Sequence, residues 1–60
     1  MQLFELYKVL PDGVEVLIYD SKDEVIYYGS LNKLDIDIMQ SRITYLRPTN
    51  PREIVVKIDI

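Results

Sequence analysis

Residues 53–60 alternate: Ile54, Val56, Ile58 and Ile60 on one side, Val55, Lys57 and Asp59 on the other. Strand side chains point to opposite faces with period two, so the pattern predicts a half-buried β-strand whose end lies in the core. Val14 to Asp20 repeats it, with Val14, Val16 and Ile18 inward and Glu15, Leu17 and Tyr19 outward. Val25 to Leu31 is a returning strand interrupted by Gly29, and the polar turn Ser21-Lys22-Asp23-Glu24 makes the pair a hairpin. Arg42 to Arg47 is a further strand, with Ile43 and Tyr45 alternating against Thr44 and Leu46. Pro48-Thr49-Asn50-Pro51 is a rigid loop before the final strand.

Two segments carry helical signals. In Gln2 to Leu10, Leu3, Leu6, Tyr7 and Leu10 fall at i, i+3, i+4 and i+7, the stripe of an amphipathic helix. Pro11-Asp12-Gly13 could equally turn a strand into a hairpin, so helix and strand both remain open here, and helix is the reading adopted. Asn32 to Gln40 reads as a one- or two-turn helix capped by Asn32, Asp35 or Asp37. The whole is one α+β domain, residues 1–60. Its four-stranded antiparallel sheet of two hairpins carries an N-terminal helix packed on one face and a short helix between the hairpins. The alternative is a small SH3-like β-barrel, in which the first segment is a strand.

This architecture leaves a surplus of apolar side chains. The face away from the core is assigned Leu17, Tyr19, Val25, Tyr27, Leu46 and Val55 beside Glu15, Thr44 and Lys57. A solvated sheet face should be polar. Either the sheet curls and buries both faces, or this face is an interface, a role to which tyrosine brings rigid contact area. Tyr27 and Tyr28 are adjacent, so one of the two must point outward.

Composition narrows the chemistry. Sixty residues without cysteine or histidine exclude disulfides and thiolate or imidazole metal sites. A core this small supplies roughly 3–5 kcal/mol, which makes self-association a serious alternative to unaided packing. The usual general base and nucleophiles are missing, and Ser21, Ser30 and Ser41 lack a base beside them, so a non-enzymatic protein without cofactor is expected. Asp20, Asp23 and Glu24 lack the ligand spacing of a calcium loop, and solvation or capping explains Asp35 and Asp37.

Net charge is −3 and the isoelectric point about 4.6. Residues 1–41 hold three lysines against eight carboxylates, whereas Arg42, Arg47, Arg52 and Lys57 follow against Glu53 and Asp59. An acidic chain is repelled by phosphate backbones, so nucleic acid is disfavoured and a basic protein surface preferred. The acidic turn Asp20, Asp23 and Glu24 could steer such a partner. Arg42, Tyr45, Arg47 and Arg52 are the best local case for holding an anion, against pairing with nearby carboxylates. No apolar run approaches the ~20 residues that span a membrane and no secretory signal opens the chain, so a cytoplasmic protein with no membrane partner is expected.

The segment Gln2 to Gly13, with Val14-Glu15-Val16 and Ile18-Tyr19-Asp20 after it and Tyr27-Tyr28-Gly29 further on, resembles short uncharacterised proteins of phages and mobile elements of Gram-positive bacteria. Those proteins open with a helix of the ELLKVLPDG type, then a strand ending Ile-Tyr-Asp, a turn and an aromatic-Gly strand. The resemblance implies an α+β fold and the company of phage genes. Small acidic phage proteins of this kind include inhibitors of host defence such as anti-CRISPR proteins, which would place this chain in the host-cell cytoplasm. It transfers no functional residue. The expected function is a protein-binding domain acting as such an inhibitor; a homo-oligomeric (for instance homodimeric) assembly protein is the alternative, and an anion or nucleic-acid binder comes third.

Overall fold

A computed structural model of the chain describes residues 1–60. Helix α1 spans Leu3–Val9 and stops because Leu10 turns extended ahead of Pro11, where the proline ring excludes helical backbone from the preceding residue. Its predicted stripe is buried only in part: Leu3 and Leu6 are buried, but Tyr7 is exposed and Leu10, past the end of the helix, is half-buried. The start of α1 is tied down by polar contacts. The Gln2 backbone N–H donates to Glu5 at 2.8 Å, and the Gln2 side-chain amide donates to the Gln40 carbonyl at 3.0 Å.

Gly13, at φ +86°, turns the chain into β1, Glu15–Tyr19. Strand β2, Val25–Gly29, returns antiparallel to it. A 3-10 turn at Leu31–Lys33 and the short helix α2, Ile36–Met39, carry the chain across one face of the sheet. Strands β3, Ile43–Asn50, and β4, Glu53–Ile58, form the second hairpin. Strand β3 runs through Pro48, which the sequence placed in a loop; an edge strand tolerates a proline because one side of its ladder has no partner.

The strand order is β2-β1-β4-β3, and the central β1–β4 pair is parallel. The sheet is therefore mixed, a correction to the all-antiparallel arrangement expected from two hairpins. The reason lies in the inner side chains. Val16 and Ile18 of β1 and Val56 and Ile58 of β4 are fully buried. Central positions give these two rows neighbours on both sides, and only a crossover connection between the hairpins can set β4 beside β1. The sheet stays open, with β2 and β3 at its edges, so it is not a barrel.

The core comprises Leu3, Leu6, Val16, Ile18, Leu31, Met39, Val56 and Ile58. All helical cover lies on one side of the sheet. Ile60 does not continue the buried row: β4 ends at Ile58, and Ile60 is 51% exposed.

Candidate functional site

The face of the sheet opposite the helices is built in three cross-strand rows. In the middle row Leu17 sits between Tyr28 and Val55, and Val55 in turn neighbours Arg47. Towards the hairpin turn of β1, Tyr19 lies between Val25 and Lys57, and Lys57 neighbours Tyr45. At the other end Glu15 lies directly beside Glu53, which faces Asn50. Leu17, Tyr19 and Val55 are half-buried, while Val25, Tyr28 and Tyr45 stand exposed around them. Tyr19, Thr44, Tyr45, Val55, Lys57 and Asp23 line a shallow groove of about 510 Å³.

Three β-bulges decide which side chains reach this face. The β1–β2 register slips between Ile18 and Tyr19, and β3 slips against β4 between Ile43 and Tyr45 and between Pro48 and Asn50. An extra residue in one strand leaves the pairing one step out and resets the alternation. Val25 thus shares the open face with Tyr19, as expected, but Tyr27 falls opposite Ile18 and points to the core. Its hydroxyl donates to the Ser30 carbonyl. Leu46 likewise falls opposite Val56, on the helix side. Tyr27 and Leu46 are therefore corrected out of the open face, and Tyr28, Tyr45 and Arg47 enter it. The Tyr27-Tyr28 pair announced that one ring faces outward; no residue preference announced the bulges.

Polar contacts organise the margins. The Tyr28 hydroxyl donates to Glu53 at 3.0 Å, and the Thr49 hydroxyl donates to the same carboxylate at 2.9 Å. Chiefly because it holds that hydrogen bond, and with the charge of Glu15 nearby, the Tyr28 phenol titrates above its ordinary 10.0. Lys57 pairs with Asp23 of the β1–β2 turn, whose side chain is 75% exposed.

The acidic turn is partly structural. Asp20 accepts the backbone N–H groups of Lys22 at 2.8 Å and Glu24 at 3.0 Å, closing the turn, while Asp23 adopts φ +65°. Glu24 alone of the three is exposed without a bonded role for its side chain. The structure does not assemble the four residues considered for an anion. Tyr45 and Arg47 share the open face, but Arg42 pairs with Asp59 at 3.5 Å at the start of β3, and Arg52 lies in the turn after it. No three carboxylates converge in a metal-binding geometry. Ser21 donates its hydroxyl to the Ile60 carbonyl at 2.8 Å. No helix is long and apolar enough to cross a membrane.

What this arrangement can do is present an aromatic and aliphatic surface with a shallow groove and charged ends. Comparison of the chain with protein-family models, curated proteins and solved structures returns no match.

Proposed function

We propose that the chain is a non-enzymatic protein-docking domain that works through the open face of its sheet. One observation carries the reading: Leu17, Val55, Tyr19, Tyr28 and Tyr45 lie contiguous on a face with no helix over it. Solvent-facing sheets normally alternate to polar residues. A contiguous apolar patch rimmed by charge is instead the composition of a protein interface, and tyrosine is enriched among the few residues that carry most of its binding energy.

The resemblance to phage and mobile-element proteins suggests a concrete form, the blocking of a basic host protein. Glu15, Glu53 and Glu24 would meet its cations while the tyrosines cover apolar surface. Affinity capture from a bacterial lysate tests the reading with wild-type protein and a Val55→Asp variant whose circular dichroism is unchanged. A protein held by the wild type and released by the variant supports it. The same protein held equally by both overturns it.

A further inference from the structure

The parallel register at the centre of the sheet gives the open face a direction. Along β4 the outward residues run Glu53, Val55, Lys57, and beside them β1 runs Glu15, Leu17, Tyr19. One end is acidic, the middle is apolar, and the far end pairs a cation with an aromatic ring. An order of this kind is complementary to its own reverse.

We infer that the open face docks against a second copy of the chain, strands antiparallel, in a two-fold contact centred on Val55 with reciprocal Glu53–Lys57 pairs. This rests on the docking role proposed for the face and, in place of the basic host protein, names a second copy as its occupant. Val55 and Leu17 then meet the same residues of the other copy. Residues two positions along a strand lie about 7 Å from that centre. Packed sheets cross at about −30°, which displaces those ends sideways by about 3–4 Å, within the span of a lysine side chain.

Three further observations favour this occupant. Glu15 and Glu53 are direct neighbours, and the repulsion between two like charges side by side is relieved when a cation joins them. Lys57 of the other copy is such a cation. Its present partner Asp23 is exposed, so that ion pair holds Lys57 only weakly. The core numbers eight buried side chains among 60 residues and has no disulfide, and small scaffolds of this type gain stability by association. The outward side chains number about half the ~20–30 residues a side of a stable interface, which places the dimer in the weak, reversible class.

Sedimentation equilibrium of the full chain from about 10 μM to about 1 mM covers that affinity class. The average mass is expected to climb from 7.1 kDa towards twice that value. Glu53→Lys and Lys57→Glu should each weaken association about fivefold or more, and the double exchange should restore it to within about twofold, because the reciprocal pairs re-form with signs reversed. A wild-type mass constant through 1 mM overturns the inference, as does a double exchange no more associated than the single variants. A monomeric wild type that still loses a captured protein on Val55→Asp overturns the second copy alone and leaves the docking role standing. Capture unaffected by Val55→Asp, with a monomeric wild type, overturns both.

Discussion

Leu17 of β1 and Val55 of β4 are direct parallel partners at the middle of the sheet, on the side without helices. One residue further along each strand, Ile18 and Val56 are also direct partners, and both are fully buried. Two adjacent pairs of similar composition therefore face opposite environments. They should respond oppositely to substitution. Ile18→Ala removes packed core atoms at a cost of about 2–5 kcal/mol, comparable to the roughly 3–5 kcal/mol such a core supplies. Chemical denaturation should find that variant largely unfolded at 25 °C. Val55→Asp loses strand preference and partial cover, about 1 kcal/mol, and should remain folded while losing its docking.

Gly29 offers a test of the β2 geometry. It sits at φ +144°, and a Cβ added there would lie 3.3 Å from the Tyr27 hydroxyl oxygen. That hydroxyl is held by its bond to Ser30, so it cannot yield freely. Gly29→Ala should cost about 1–3 kcal/mol from backbone strain and crowding together. Gly13→Ala, at φ +86° with no atom within 4 Å of the added Cβ, carries the backbone strain alone and should cost less. Paired urea denaturation curves separate the two.

The Tyr28 phenol should ionise above its ordinary 10.0, since its proton is held first by the bond to Glu53 and further by the charge of Glu15. Glu53→Ala should return its midpoint towards 10.0 in an absorbance titration of tyrosinate. The sign for stability follows from proton binding. The folded state keeps this proton to higher pH than the unfolded chain does, so the contribution is complete below the ordinary value and fades as pH rises through the raised one. A midpoint indifferent to Glu53→Ala would contradict the contact.

The acidic turn divides by role. Asp20→Ala removes the acceptor for two backbone N–H groups and should cost about 1 kcal/mol in thermal denaturation. Glu24→Gln touches no such bond and should stay within about 0.5 kcal/mol of wild type. If the turn steers a basic partner, Glu24→Gln slows association without changing stability.

Much of this could be read along the chain because its signals are local. The period of Val14–Asp20 and 53–60, the stripe of Leu3 and Leu6, and the stop at Pro11 each depend on residues a few positions apart. The apolar surplus was also legible, since counting outward side chains on alternating strands exposes it, whereas only the open sheet showed that the chain does not curl over that face.

What stayed hidden was non-local. Tyr27 and Leu46 changed faces because bulges at the Ile18/Tyr19 and Ile43/Tyr45 steps shift the pairing, and a bulge is set by how two distant strands meet. Neither strand carries a residue that demands one.

The amino-acid order on its own determined the alternation of β1 and β4 and the surplus of apolar side chains on the outer face, because short-range periodicity decides which way a side chain turns wherever no bulge intervenes. Only the tertiary fold decided that β1 and β4 run parallel in the centre. That choice depends on burying two apolar rows at once, and it alone sets Glu15 beside Glu53 and Tyr19 beside Lys57, giving the open face its polarity.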